Sequence, residues 1–256
     1  MLIKDIITKI EQKYPLSTQS PWDNSGVQIG DLNQELTGIY ISLDAEIANI
    51  KEAIENNCNL IITHHPLIFS GIKRLVKGEF NYSVIEMAMA HKLTIYSSHT
   101  PFDANPDGMK NTPLLELGEN INYDFVEEDN ITFGTTMNVE PQSLSEFVEK
   151  IKNKLKRYGL TDNMRVYQAN DKPIQKVAIM GGSGAGYIEH AKRLGADLYV
   201  TADVKYHDAQ LAKRIGINLI DLTHDGSEIH FVDIMKQQFE QEKIKIITSY
   251  QTTKPS

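Results

Sequence analysis

The stretch Val177-Ala178-Ile179-Met180, then Gly181-Gly182-Ser183-Gly184-Ala185-Gly186, then a helical segment to about Leu194, and finally Leu198-Tyr199-Val200-Thr201-Ala202-Asp203 decides the architecture. An apolar run entering a glycine turn, a helix and a second apolar run is the pattern of a β-α-β unit. Strands covered on both faces lose the polar alternation of half-exposed ones. A second unit of this kind lies upstream. Gly38 to Leu43 reads as its first strand, Asp44 can cap a helix whose apolar face is Ile47, Ile50 and Ile54, and Leu60, Ile61 and Ile62 form the return strand. Strands alternating with helices in this way predict an α/β protein with mixed, largely parallel sheets.

The two units read as a repeat. Leu60-Ile61-Ile62-Thr63-His64-His65 aligns with Leu198-Tyr199-Val200-Thr201-Ala202-Asp203. Each unit then continues through a helix to a further strand that ends in a histidine with an acid four residues on. Ile95 to Ser98 precedes His99 and Asp103, and Leu219 to Thr223 precedes His224 and Glu228. The intervening lengths differ, so the repeat is one of pattern. It predicts two pseudo-equivalent lobes, residues 1–120 and 121–239, with 240–256 able to pack on the first.

Composition narrows the function classes. The 256 residues hold 26 basic and 34 acidic side chains, a formal charge of -8, which disfavours nucleic acid as the main partner. A chain that is 41% hydrophobic and 23% charged can bury a core. No run reaches the roughly 18 apolar residues that span a bilayer. Met1 to Leu16 reads as an amphipathic helix built on Leu2, Ile3, Ile6, Ile7 and Ile10, without the cleavage site of an export signal. Cys58, the single cysteine, cannot form an intrachain disulfide or a thiolate cage, which fits the cytoplasm and leaves histidine and carboxylate as metal ligands.

Elsewhere the pattern is thinner. Glu119 to Gln142 carries one expected strand, around Ile131 to Met137. Ser143 and Glu146 form a capping box for a helix with Leu144, Phe147, Val148, Ile151 and Leu155 on one face, ended by Gly159. The lysines and Arg157 of its last turns read as a solvated face that complements the helix dipole or, alternatively, as an anion-binding patch. The tail from Thr252 reads as frayed.

Chemistry concentrates where open α/β sheets bind ligands, beyond the carboxyl ends of the strands. His64, His65, His99, His207 and His224 follow apolar strands or lie in the loops after them. His91, His190 and His230 sit in helical stretches and read as structural. At a strand end followed by Pro66 the backbone can bend and offer both His64 and His65 to neighbouring ions. With Asp103, His224 and Glu228 they form a set of imidazoles and carboxylates suited to two divalent ions. Five ligands crowd one tetrahedral ion, whereas two ions roughly 3.5 to 4 Å apart share a bridging carboxylate, here either Asp103 or Glu228. His207 reads either as a proton shuttle or as a helix-start histidine bonded to Asp208. His99 reads as a pocket residue or as a partner orienting a ligand. Gly181 to Gly186 is either a phosphate cradle or a close-packed turn, and it completes neither a P-loop nor a dinucleotide fingerprint.

Trp22-Asp23-Asn24-Ser25-Gly26-Val27, Thr63-His64-His65-Pro66-Leu67-Ile68-Phe69, Ser98-His99-Thr100-Pro101-Phe102-Asp103, Gly195-Ala196-Asp197, Asp203-Val204-Lys205-Tyr206-His207, and His224 with Glu228 together resemble the GTP cyclohydrolase 1 type 2 homologue family, the NGG-interacting-factor-three-like dinuclear metal proteins. The resemblance spans nearly the whole chain. It implies two α/β lobes with the metal site between them, a toroidal homohexamer, and His64, His65, Asp103, His224 and Glu228 as ligands, with Glu228 bridging. Ala202, Asp225 and Lys110 depart from residues common in the family, none of them a ligand. The expected function is a metal-dependent hydrolase of a nucleotide-like substrate, of the GTP cyclohydrolase type: metal-bound hydroxide opens the ring and formate leaves, with His207 and His99 as candidate catalytic groups. The alternative is a non-catalytic metal-binding scaffold or trafficking protein. Zinc, iron, manganese and cobalt all suit the ligands.

Overall fold

The computed structural model describes residues 1–252; the tail expected to fray from Thr252 lies, Thr252 itself apart, outside them. In chain order the first elements are α1 (Ile3–Lys13), β1 (Gly26–Ile29), β2 (Ile39–Ser42), α2 (Ile47–Glu55), β3 (Leu60–Thr63), α3 (Phe80–Ala90), β4 (Thr94–Ser97) and α4 (Thr100–Asp103). Then come β5 (Glu119–Asn122), β6 (Val126–Glu128), β7 (Ile131–Phe133), β8 (Thr135–Gln142), α5 (Leu144–Leu155), β9 (Arg165–Tyr167), β10 (Ile174–Ile179), α6 (Ile188–Arg193) and β11 (Leu198–Thr201). The chain closes with α7 (Tyr206–Ile215), β12 (Asn218–Asp221), α8 (His224–Glu228), α9 (Phe231–Gln237) and β13 (Ile246–Thr248). These elements form two compact α/β units, Met1–Phe102 with the segment from Phe231 onward, and Asp103–His230.

The first unit holds a sheet in the order β1-β4-β3-β2-β13. Its strands β13, β2, β3 and β4 run parallel, and β1 joins antiparallel at the edge. β2, β3 and β4 are buried along their whole length, as their apolar runs require. Tyr40, Ile61 and Ile95 from these strands pack with Ile50 and Ala53 of α2 and Val84 and Ala88 of α3 in one cluster. α1 buries Ile3, Ile6, Ile7 and Ile10, the stripe read from the sequence. Cys58 is buried as a free thiol, and burial pushes its pKa up.

The second unit holds the order β5-β8-β10-β11-β12-β9 and a separate β6-β7 hairpin. Here β10, β11 and β12 are the parallel centre, flanked by antiparallel β8 and β9. Ala178, Tyr199 and Leu219 of the sheet pack with Ile188 and Ala191 of α6 and Ala212 of α7. The strand expected around Ile131 to Met137 is broken at Gly134. That glycine has φ +67, and a Cβ there would lie 2.7 Å from the Ile179 carbonyl, so the chain turns between β7 and β8. Ser143 caps α5 as expected: its Oγ accepts from the Glu146 N–H, and Glu146 returns the bond to the Ser143 N–H. No helix among the described residues is long and apolar enough to cross a membrane.

The repeat is visible in the ladders. β3 pairs β4 with Thr63 opposite Ser97, and β11 pairs β12 with Thr201 opposite Asp221. Each unit therefore carries its ligand-type residues past the carboxyl ends of two adjacent parallel strands.

Candidate metal centre

In the first unit, β3 ends at Thr63 and the next two amides, of His64 and His65, both donate to the Leu43 carbonyl at 3.1 and 3.0 Å. This shared acceptor bends the chain out of the pleat, and the two imidazoles lie with centroids 4.9 Å apart instead of on opposite faces. Thr63 Oγ1 and Ser97 Oγ both donate to the His65 carbonyl, at 2.8 and 3.1 Å, fixing the bend. The His99 ring joins them at 5.1 Å from His64 and 5.8 Å from His65. One ligand atom from each of His64, His65 and His99 lies within 4.8 Å of the others.

Each ring is held through Nδ1. His64 Nδ1 bonds the Ser98 carbonyl at 2.9 Å, His65 Nδ1 bonds Asp44 Oδ1 at 2.8 Å, and His99 Nδ1 bonds Asp23 Oδ1 at 2.8 Å. A carbonyl only accepts, so His64 carries its proton on Nδ1 and its lone pair on Nε2, the tautomer of a metal ligand. Asp23 is buried. Burial opposes its charge, but hydrogen bonds from His99, Thr100 and Ser25 outweigh that and hold the carboxyl well below the usual carboxylate range.

Asp44 does not cap α2 as the sequence suggested. Glu46 precedes the first turn instead, and Asp44 spends its carboxylate on His65. Asp23 and Asp44, like Asp203 in the second unit, hold candidate imidazoles and were assigned no part in the site by sequence reading. Asp23 was visible within the quoted motif, but nothing local distinguishes an acid that orients a distant imidazole from one that ends a turn.

In the second unit, β11 ends at Thr201 and β12 at Asp221, and the chain then runs through left-handed backbone at Asp203, φ +54, and Thr223, φ +67. Asp203 Oδ2 bonds His224 Nδ1 at 2.8 Å and also accepts from Ser183 Oγ. Burial and the charge of Glu228 raise its pKa, yet the bonds from Ser183 and His224 bring it below the ordinary value. His224 Nε2 faces Glu228 Oε2 at 3.2 Å one helical turn along α8. That is close to the separation of about 3.3 Å between two ligands on a tetrahedral ion with bonds of about 2.0 to 2.1 Å. Glu228 is buried, 4% exposed.

The glycine turn explains how Glu228 fits. A Cβ on Gly182, whose φ is +64, would stand 2.6 Å from Glu228 Oε1, and the Gly182 N–H donates to Ser227 Oγ at 2.9 Å. The Gly184 N–H is also engaged, by the Gly182 carbonyl at 2.8 Å. Of the two readings of this turn, close packing around a carboxylate is the one the contacts support. Asp103, at the end of α4, lines a cavity of about 60 Å³ in the second unit with Lys110, Thr135, Gly181 and Ser227. His207 is exposed on the first turn of α7, and its Nδ1 bonds Gln210 Oε1 at 3.1 Å. Asp208 instead accepts from the Lys205 N–H. His190 and His230 bond the carbonyls of Phe125 and Met109, the structural roles expected of them.

The donors of both units are of a kind that could hold a divalent metal: imidazoles fixed through Nδ1 by a carbonyl or a carboxylate, and a buried carboxylate beside one of them. Fold and donors together define a two-unit α/β protein whose histidine and carboxylate groups could hold a metal ion. The family model Duf34/NIF3 (NGG1p interacting factor 3) matches residues 1–255, and the chain belongs to that family. A Campylobacter jejuni protein named GTP cyclohydrolase 1 type 2 homolog is 32% identical over 249 residues, covering 96% of this chain and 95% of its own. A Clostridium perfringens protein of the same name is 33% identical over 232 residues, covering 89% and 87%. Among solved structures, a Staphylococcus aureus hypothetical protein superposes with TM-score 0.86 at 29% identity, covering 97% of this chain and 96% of that one. Reduced HcgD from Methanocaldococcus jannaschii does so with TM-score 0.83 at 28% identity and 97% coverage of each.

Proposed function

We propose that the chain is a metal-dependent hydrolase of a nucleotide-like substrate, of the GTP cyclohydrolase type. In this reading His64, His65, Asp103, His224 and Glu228 would hold two divalent ions, with Glu228 as the ligand the two would share. The observation that carries it is the common wiring of the candidate histidines: His64, His65 and His224 each engage an acceptor through Nδ1, as metal-ligating imidazoles do. Relatives named GTP cyclohydrolase 1 type 2 homolog supply the substrate class.

Two bound ions would supply Lewis-acid chemistry and water activation there. Asp44 and Asp203 hold the imidazoles of His65 and His224 in the ligating tautomer. His99, with Nδ1 anchored on Asp23, holds its ring beside those of His64 and His65. His207 can exchange a proton at Nε2 while Gln210 holds its Nδ1. A cytoplasmic homohexamer belongs to the same reading.

The test is formate release from GTP by purified protein reloaded with zinc or manganese. The expected result is metal-dependent turnover that disappears in His64→Ala. Turnover that survives that change rejects the assigned ligands, and bound metal without turnover on any nucleotide leaves a metal-carrying scaffold.

A further inference from the structure

Two large aromatic side chains stand in solvent beside the histidine cluster of the first unit. Trp22 is 55% exposed and Phe69 is 52% exposed. Their ring centroids lie 6.0 Å apart, and each ring meets His99 in a T-shaped arrangement, with centroids 5.8 and 6.2 Å away. The same His99 ring lies 5.1 Å from His64. A continuous run of rings therefore leads from solvent to the ligand-type imidazoles.

Neither aromatic rides on a loose loop. Next to Trp22, the buried Asp23 carboxylate accepts from the Thr100 N–H at 3.1 Å, Thr100 Oγ1 at 2.6 Å and Ser25 Oγ at 2.7 Å, besides its bond to His99. Next to Phe69, the Ile68 carbonyl accepts from Asn24 Nδ2 at 2.6 Å and the Ile68 N–H donates to Gln28 Oε1 at 3.0 Å. Exposing this much apolar ring surface costs hydrophobic free energy, and ordering the backbone beneath it costs entropy. Both costs are borne at one place, against the imidazole cluster, by two rings that offer π-faces and by amide-rich neighbours. That combination suits a flat heterocycle, which gains by stacking on aromatic faces whatever its hydrogen-bond pattern.

The geometry points to Trp22 and Phe69 as the residues that hold the purine ring of the substrate, presenting its edge to His99 and His64. This rests on the reading of that histidine cluster as part of the reaction site, and it adds the substrate's base as the group recognised there. Trp22 and Phe69 pack on the His99 ring and neither is among the assigned metal ligands, so their loss weakens binding of the base before it alters metal uptake.

Trp22 is the only tryptophan in the sequence, so its fluorescence reports on the shelf without labelling. The intact chain is titrated with GTP, guanosine, adenosine, ribose 5-phosphate and tripolyphosphate, with zinc and again with chelator, while zinc uptake is measured separately by elemental analysis. Saturable quenching by the purine compounds and none by ribose 5-phosphate or tripolyphosphate is expected. By calorimetry, Phe69→Ala and Trp22→Ala should weaken guanosine binding about tenfold or more, and Trp22→Phe should restore most of it. Zinc uptake should be unchanged in all three variants. Quenching by tripolyphosphate alone, no quenching by any purine, or a signal that follows protein concentration and thus reports a second copy on the shelf would each overturn the assignment. Purine quenching in a protein that takes up no zinc would reject the metal reading and keep the shelf, whereas zinc uptake without purine quenching would do the reverse.

Discussion

The two units place ligand-type residues past equivalent strand ends by different means. In the first, His64 and His65 leave β3 through a bend made by one shared carbonyl, and hydroxyls, a carbonyl and two aspartates lock the rings. In the second, room is made sterically: Gly182 clears space for Glu228, and Asp203 and Thr223 adopt left-handed backbone around His224. Thr223 is β-branched, so this conformation is strained, and it is held by its own bonds to Asp221, Asp225 and Gly226. A repeated scaffold thus fixes where ligands emerge, and local wiring fixes how they point.

If that contrast is right, the second unit should be the one that fails on added bulk. Gly182→Val places a branched side chain in left-handed backbone and onto Glu228 Oε1, so it should cost at least about 2 kcal/mol of stability and abolish tight metal uptake. Thermal melting and elemental analysis of the same sample check both effects. Unchanged melting would show that the turn has slack and that the steric half of the comparison is mistaken.

Removing the orienting acids should produce a smaller effect of similar size in both units. Asp44→Ala and Asp203→Ala should each weaken zinc binding about 10- to 100-fold in a chelator competition, with the fold retained by circular dichroism. A loss confined to one variant would mean that only that unit's imidazole depends on its carboxylate.

The smallest effect concerns a buried cation lining the second unit's cavity. Burial pulls the Lys110 amine below its ordinary value, and the charge of Asp124 only partly offsets this. The unfolded chain therefore binds that proton more tightly than the folded one. Charged Lys110 costs stability at neutral pH, and stability should rise with pH from the depressed folded value up to the ordinary lysine value of about 10.4. Lys110→Met should be more stable at pH 7 and lose that slope in denaturant titrations at several pH values.

Much of this was legible in the sequence because burial on both faces writes strands as unbroken apolar runs. β2, β3, β4, β10, β11 and β12 all stood out for that reason, and the histidines just beyond them marked the candidate sites. The edge strands did not stand out, since β5 and β9 are short and largely polar. Asp44 was misread because an acid shortly before a helix has two equivalent local uses, and only the fold brings His65 Nδ1 within 2.8 Å to select one. Gly134 was overlooked inside a β-rich stretch because the obstruction it avoids, the Ile179 carbonyl, belongs to a strand far along the chain.

The central claim is that this histidine and carboxylate wiring exists to hold divalent ions. Protein stripped with chelator, reloaded with zinc and freed of excess should retain about two ions per chain by elemental analysis, and His64→Ala and Glu228→Ala should retain fewer. A parent protein that retains none, or variants that retain as much as the parent, would contradict it.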